Sequence, residues 1–505
     1  MGEQLRGRPR VRVDAWATIA TVACRIIHLI PGLSFGGPTR CLIGLARASA
    51  DSGAFLHEVI GLRSSSSGVR RMLEEAGLPV MEDPQPAHLM DAIEGADLVL
   101  LHFWNTPEVD SLLRAAWPKG RLVIWCHVAG DTPPQLVTPE LIAFSDLTLA
   151  SSPYSQGLSA FRAADSERTG AVWPGVDQSR FATLRPRPHE TFNIGYVGLV
   201  DDVKLHPRFV AMSAAAGIPN ARFIVCGDGG ARARLEREAR EAGLSDRMEF
   251  RGWVRDVAAV LPEIDVLGHP LSPDSYASVE CAVQEAMCAG IPPVVLAQPG
   301  ALACLVRHGE TGLLVRTEAE YSRALADLAA NSEARLRLGK NARAWAVSHF
   351  DAAATASTFT EIFHRLTSEP KRSRVWAFGL VQDQIPGAHR FLSWLGPQAA
   401  PFLASLTATS SAIAADADDQ IARSSAVLKS AGGGGILHYR AAYPNDPYLR
   451  LWAGLVLDQG GRPALAAAEF YRARQLGLPA SRVDDHFWRA AANAGAPELT
   501  SGFSA

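Results

Sequence analysis

The stretch YASVECAVQEAMCAGIPPVV, Tyr276 to Val295, sets two acids, Glu280 and Glu285, in an apolar run and then stops at Gly290 and Pro292. Ser278 is placed to cap a helix start, and Ala277 to Ala289 is mostly good helix former. Gly290 stands where a left-handed C-cap belongs, Pro292 prevents continuation, and Val294 to Leu296 reads as a buried strand. The N-terminus of such a helix carries partial positive charge and free N–H groups, which suit a phosphate. Glu285 lies about two turns inside it, where a carboxylate can accept hydrogen bonds from a ribose diol; the plainer alternative is a surface acid on an amphipathic helix. Two further features could do chemistry. Gly36 and Gly37 follow an apolar run, and glycine lets backbone N–H groups approach an anion without a Cβ clash; an ordinary tight turn is the alternative. His102 in LLHFWNTP and His127 in IWCHVAG each close an apolar run, so each is either a site group at a strand end or a satisfied structural histidine.

The elements that must position these groups alternate. Strand candidates are Arg25–Ile30, Glu58–Leu62, Asp97–Leu101, Arg121–Cys126 and Leu147–Ala150, with helical spacing between them, as in Gly37–Asp51 and Pro107–Trp117. The polar, Pro-rich LRPRPHET (Leu184–Thr191) reads as a linker. A second series follows: Phe192–Val197, Arg222–Cys226, Arg247–Phe250, Val266–His269, Pro293–Leu296 and Gly312–Val315. Repeated strand–helix–strand units predict parallel sheets covered on both faces. The chain is therefore expected to be α/β: two tandem Rossmann-like, doubly wound domains, 25–185 and 186–366, behind a flexible basic segment at 1–24 and ahead of a helical extension at 367–505. SAGGGG (Ser430–Gly435) reads as a flexible joint. LRLWAGLVLDQGGRPALAAAEFYRARQLG, after it, has two helical patterns around Gly460 and Gly461 and resembles one tetratricopeptide-like pair. One pair cannot bury its own face, since roughly three are needed to stand alone, so the extension is expected to dock on the enzyme or on a protein partner.

The 505 residues call for two or three domains, and 48% hydrophobic with 20% charged residues is a soluble globular balance. A net charge of −3 excludes bulk attraction to polyanions and argues against nucleic acid as a partner. None of the seven cysteines forms a CxxC pair and none follows Cys304, which suggests a reducing, cytoplasmic setting. Cys281 and Cys288 lie seven apart without histidines beside them, so no metal is expected there. No apolar run is long enough to span a membrane. RGRPRVR followed by AWATIATVAC has the look of an export signal, but RIIHLI follows at once as a core strand. A loose basic tail in peripheral contact with an anionic membrane is the preferred expectation.

Five motifs in order resemble the GT-B glycosyltransferases, specifically the large retaining group called family 4. They are PGLSFGGPTR, FNIGYVGLVDDVKLHP, FIVCGDGGARARLE, EFRGWV, and QEAMCAGIPPVV with GALACLVRHGETGLLV, together covering about Arg25 to Phe363. The resemblance implies a nucleotide-diphosphate sugar bound between the domains, mostly by the second, with the acceptor hydroxyl approaching from the first. It places Gly36 and Gly37 near the donor diphosphate and gives Lys204 the charge on the leaving phosphate. Gly198, Gly227, Asp228, Gly229, the loop residues Ser275, Tyr276, Ala277 and Ser278, and Glu285 fall to donor binding. His127, Lys204 and Glu285 are the implied catalytic residues; His102, Trp104 and Asn105 are assigned to the acceptor. No cofactor or metal is implied. The chain departs from the pattern at three positions: Leu199 stands for an arginine, Ala277 for the first of two acids eight apart, and Cys304 for an acid. Asp274 or Glu280 could replace the missing acid, and His206 or Arg208 the missing cation. The expected function is retaining sugar transfer to a hydroxyl of a glycan, lipid-linked saccharide or natural product. The alternatives are a catalytically retired binding protein and a nucleotide-sugar epimerase.

Overall fold

The computed structural model describes residues 23–50, 53–297, 300–380 and 384–495. The basic segment at residues 1–22 lies outside the described residues.

The first domain holds a parallel sheet of β1 (Cys24–Ile30), β2 (Phe55–Gly61), β3 (Val80–Glu82), β4 (Leu98–Phe103), β5 (Leu122–Cys126), β6 (Leu147–Ala150) and β7 (Thr169–Ala171), in the order β3-β2-β1-β4-β5-β6-β7. Its middle strands are buried on both faces, which is why they read as continuous apolar runs. β3 and β7 escape sequence reading because each is a short edge strand with only three residues. The second domain holds β8 (Phe192–Val197), β9 (Ala221–Cys226), β10 (Met248–Gly252), β11 (Val266–Pro270), β12 (Pro293–Leu296) and β13 (Leu313–Val315), all parallel, in the order β10-β9-β8-β11-β12-β13. In both sheets the strand order reverses beside the first strand. That reversal opens a crevice at the carboxyl ends, where ligands bind in such sheets. Gly36 and Gly37 follow β1, the Lys204 loop follows β8, and the Tyr276 loop follows β11.

Two elements differ from expectation. The helix after the Tyr276 loop spans Cys281–Cys288, not Ala277 onward: Glu280 stands at its N-cap, and Ser278 caps nothing. The backbone at Tyr276 and Ala277 is instead drawn into contact with the first domain, where Ala129 N donates to Tyr276 O at 3.0 Å and Val128 pairs with Ala277. The C-terminal stop is as expected, with Gly290 at φ +80°. The second difference is the helix Ala352–Ser368, placed by its sequence position at the end of the second domain. It packs back on the first domain, against the helix Gly37–Ala50, with Phe359 4.8 Å from Trp125 and Phe363 5.3 Å from Phe55 between ring centres.

The helical extension docks on the first domain and shares one apolar core with it. Trp376 and Trp394 stack at 5.7 Å beneath Phe103 and Phe144. Asp110, fully buried, accepts from Arg114 Nε and Trp394 Nε1, both at 2.9 Å. The helices Pro447–Gln459 and Pro463–Gln475 pair across Gly460 and Gly461, and Ala480–Ala494 packs on them. The glycine run is not a flexible joint. Gly433 to Ile436 is buried, Gln135 Nε2 donates to Gly433 O at 2.8 Å, and Gly434 adopts φ +74° with its Cα face against Asn105 O. Glycines are there because two backbones approach too closely for a Cβ.

Candidate active site between the two sheets

Lys204 leaves the loop after β8, a loop pinned by Asp201 Oδ1, which accepts from the N–H groups of Val203 at 3.1 Å and Lys204 at 3.0 Å. Its Nζ donates to Glu280 Oε1 at 2.7 Å and lies 5.1 Å from the Tyr276 ring centre. Burial opposes the charge on Lys204, but Glu280, Tyr276 and Asp201 outweigh it and raise its pKa. Burial likewise opposes the charge on Glu280, yet Lys204 and His269 hold its carboxyl down at about 2. His269 Nε2 lies 3.4 Å from Glu280 Oε2, and its ring stacks on Tyr196. Of the two acids considered as substitutes at Ala277, Glu280 stands beside the site lysine. Asp274 instead accepts from Ala426 N of the extension at 2.9 Å.

Glu285 is 7% exposed, so the helix hides it, as the flanking residues suggested. Its Oε1 accepts from Arg180 Nη1 at 3.2 Å, and Arg180 Nη2 reaches Asp256 at 2.6 Å. Burial raises the Glu285 pKa, with Arg180 and Arg40 pulling against it. Arg180 sits on the short helix Ser179–Ala182 ahead of the polar linker, with no local pattern that marks it.

Gly37 meets the helix Cys281–Cys288 directly, since a Cβ there would fall 2.3 Å from Cys281 Sγ. The first turns of two helices thus face each other, one from each domain. Gly198, Gly227 and Gly229 serve backbone packing: a Cβ on Gly227 would lie 1.8 Å from Gly198 O, and one on Gly229 would lie 2.4 Å from Val200 O. Asp228 accepts from Gly229 N at 2.9 Å and from Arg232 at 3.4 Å. Ser275 Oγ accepts from Ala277 N at 3.3 Å, while Ser278 Oγ is buried without a hydrogen-bond partner among the described residues. Leu199, at the position of the missing cation, is 37% exposed. His206 and Arg208 face Glu318 and line a cavity of about 440 Å³, with Leu271 and Arg316, at the carboxyl edge of the second sheet.

On the first-domain side, Trp104 stacks on His127 at 4.6 Å, and His127 Nε2 lies 2.9 Å from His102 Nδ1. Asn105 is fully buried; its polar groups meet Gln135, Pro134 O and Tyr439 of the extension. Gln135 carried no signal of its own in the sequence; it bridges Asn105 to Gly433 and so ties the extension to the cleft rim. Among the described residues no three His, Cys, Asp or Glu side chains gather as a metal site, and no helix is long and apolar enough to cross a membrane.

The arrangement can do the following. A half-buried lysine beside a helix N-terminus can meet phosphate charge, a buried carboxylate can take hydroxyl hydrogen bonds, and a ring-stacked histidine closes a strand of the other domain.

Comparison with known proteins agrees with this layout. Residues 185–345 match the family described as "Glycosyl transferases group 1". The D-inositol 3-phosphate glycosyltransferase of Corynebacterium glutamicum is 28% identical over 310 residues, 53% of this chain and 72% of the relative. The 2-deoxystreptamine N-acetyl-D-glucosaminyltransferase of Streptomyces fradiae is 36% identical over 105 residues, 20% of this chain and 24% of the relative. Among solved structures, Anabaena HepE in complex with UDP-glucose superposes with a TM-score of 0.56 at 20% identity, covering 68% of this chain and all (100%) of its own. Pneumococcal GtfA with UDP and GlcNAc gives 0.56 at 9% identity, over 69% and 100%. Residues 185–345 therefore form a glycosyl transferases group 1 domain, and the enzyme class these likenesses support is a glycosyltransferase with the GT-B fold.

Proposed function

We propose that the chain is a retaining glycosyltransferase that moves a sugar from a nucleotide-diphosphate donor to a hydroxyl acceptor without a metal. The observation that carries it is Lys204. It is a half-buried cation at the switch point of the second sheet, beside the first turn of the helix Cys281–Cys288 and across from Gly37. The diphosphate would lie between these helix starts, with Lys204 taking the charge that develops as the anomeric bond breaks. Glu285 would hold the ribose, and His127 would face the sugar from the first domain. Trp104 and the rim around Asn105 would border the acceptor. The leaving phosphate, on the same face of the sugar, would receive the acceptor proton, which keeps the anomeric configuration.

A second reading has its own support. Lys204 is paired with Glu280 and Glu285 with Arg180, so two donor-binding groups are engaged by protein partners. A retired enzyme that binds a nucleotide without turnover fits that pairing. In the catalytic reading, the incoming diphosphate takes over Lys204 and the ribose competes for Glu285. An epimerase would return isomerised nucleotide sugar in place of free nucleotide.

The test is nucleotide release from a panel of UDP-, GDP-, ADP- and dTDP-sugars, begun with UDP-glucose, with thermal shift in parallel. Release of one nucleotide diphosphate, with the product's anomeric configuration retained by NMR, supports transfer. Stabilisation by a nucleotide without release selects the retired reading. Inversion of configuration refutes the same-face mechanism. In this reading the extension, tied to Asn105 and Gln135, would border the acceptor side, and a protein partner on its outer face is the remaining expectation. Peripheral contact of residues 1–22 with an anionic membrane, and a cytoplasmic location, belong to the same proposal. Binding to vesicles with and without those residues tests the contact.

A further inference from the structure

Four strands of the first sheet each place one histidine on the face covered by the helices Gly37–Ala50 and Ala352–Ser368. They are His57 on β2, His28 on β1, His102 on β4 and His127 just past β5. The rings form an unbroken line across the sheet: His127 Nε2 to His102 Nδ1 at 2.9 Å, His102 Nε2 to His28 Nδ1 at 3.1 Å, and His28 Nε2 to His57 Nδ1 at 2.8 Å. The line ends at Ser49, whose Oγ lies 2.7 Å from His57 Nε2. His28 and His102 are fully buried and His57 is nearly so. Burial lowers all four pKa values, to about 4 at His57 and about 3 at His127, so the rings are neutral.

A neutral imidazole has one N–H and one bare nitrogen. In a line of such rings each link needs one proton, so fixing one ring fixes the rest. Ser49 supplies the fixing. Its hydroxyl lies 2.8 Å from Leu45 O, the back-bond common for serine in a helix, and 3.2 Å from Ala46 O. With its proton on a carbonyl, the Ser49 oxygen accepts from His57 Nε2–H. One proton then serves each contact between Leu45 O, Ser49 Oγ and His57 Nε2, whereas the opposite direction leaves two oxygens facing each other at 2.8 Å. From there the order follows: His28, His102 and His127 also carry their proton on Nε2.

We propose that Ser49, His57, His28 and His102 are positioning residues that set the tautomer of His127. They leave its outer nitrogen, Nδ1, bare as a hydrogen-bond acceptor for a sugar hydroxyl. The tautomer stands on the geometry of the line and the burial of its rings; its use toward a hydroxyl rests on the glycosyltransferase reading.

The experiment is NMR of protein with nitrogen-15 in the histidine rings, as wild type, Ser49→Ala and Ser49→Thr. In the wild type all four rings are expected to show a protonated Nε2 and a bare Nδ1. Ser49→Ala removes the acceptor for His57 Nε2–H, and a buried unmet N–H is costly. That variant is expected to reverse the line, so that His127 becomes protonated on Nδ1. Ser49→Thr is expected to restore the wild-type pattern. His57→Phe gives the same reversal one link later and serves if Ser49→Ala does not fold. A protonated Nδ1 or a charged ring in the wild type overturns the proposal. So does a His127 signal that ignores both substitutions. In the transfer assay, Ser49→Ala is expected to lower kcat at least tenfold with donor KM within twofold. Unchanged kcat with a reversed His127 overturns its role as acceptor. A wild type that transfers nothing to any donor refutes the enzymatic reading and leaves the ring-nitrogen result intact.

Discussion

Glu280 shows how a residue's role is set by its neighbours more than by its place in a motif. Spacing alone made it one of two substitutes for the acid absent at Ala277. The structure puts its carboxylate 2.7 Å from Lys204, at the start of the helix that faces the other domain. Because Lys204 and His269 hold its pKa at about 2, against roughly 4.3 when unfolded, the pair has a readable pH signature. A carboxylate depressed on folding binds more protons unfolded than folded. Its stabilisation is complete above the unfolded pKa and is lost as pH falls through the folded one. The stability gap between wild type and Glu280→Gln, measured by denaturant unfolding, should therefore be widest near neutral pH and shrink steadily below about pH 4. A gap that stays constant over that range would show that the Lys204 pair is not held in the folded state. Lys204, Glu285, His102 and His127 were all visible in the sequence as candidates. Arg180, Gln135, His28 and His57 were not singled out. Arg180 and Gln135 act across about a hundred and about thirty positions, which local spacing cannot register. His28 and His57 each looked like one polar residue in an apolar strand, and only the sheet order aligns them.

At the scale of elements, strand positions were the most readable feature, because parallel strands covered on both faces must be apolar throughout. β6, β8 and β12 fall on the expected residues. The misreadings occur where tertiary contact overrides local preference. Ser278 lost its capping role because the loop before it pairs with Val128 and Ala129 of the first domain. SAGGGG has the composition of a joint, yet a glycine run also permits two backbones to touch, and composition cannot separate those uses. Gly434 gives that contact a test. A Cβ there would lie 2.3 Å from Asn105 O, at a backbone angle that side chains rarely adopt. Gly434→Ala should cost about 1–3 kcal/mol in unfolding free energy, the usual range for overpacking. It should also loosen the extension's grip on the cleft rim, read as faster proteolysis between residues 424 and 435. Gly432→Ala, where no atom is near, should do neither. Equal behaviour of the two variants would restore the joint reading.

Over the whole molecule, two sheets meet at their carboxyl ends, and the chain crosses back at Ala352–Ser368 so that the first domain carries both its own side of the cleft and the extension. The extension is not a loose adaptor, because Trp376, Trp394, Tyr439 and Trp452 complete the first domain's core. Its anchor is Asp110, with Arg114, Arg390 and Trp394 around it. Asp110→Ala would leave two buried guanidinium groups without their carboxylate, at a cost of about 3–5 kcal/mol. A single cooperative transition at a lower Tm would mean that extension and first domain unfold together. An early separate transition would mean that the extension is an independent unit. Removal of everything after Pro370 should, for the same reason, leave a first domain with an exposed core and a second domain that still binds nucleotide. The likeness in the sequence covered the two sheets and stopped near Phe363, which is why the extension's docking had to come from structure.

The central claim is that Lys204 carries the charge of a departing nucleotide diphosphate, and the measurement that tests it most directly is nucleotide release by wild type and Lys204→Ala side by side, on the donor the panel selects. Losing one preplaced charge stabiliser typically costs about two to three orders of magnitude in turnover, and a fall of that size in a variant with an unchanged fold is the predicted result. Turnover equal to wild type would contradict the phosphate site and, with it, the reading of the cleft as a sugar-transfer centre.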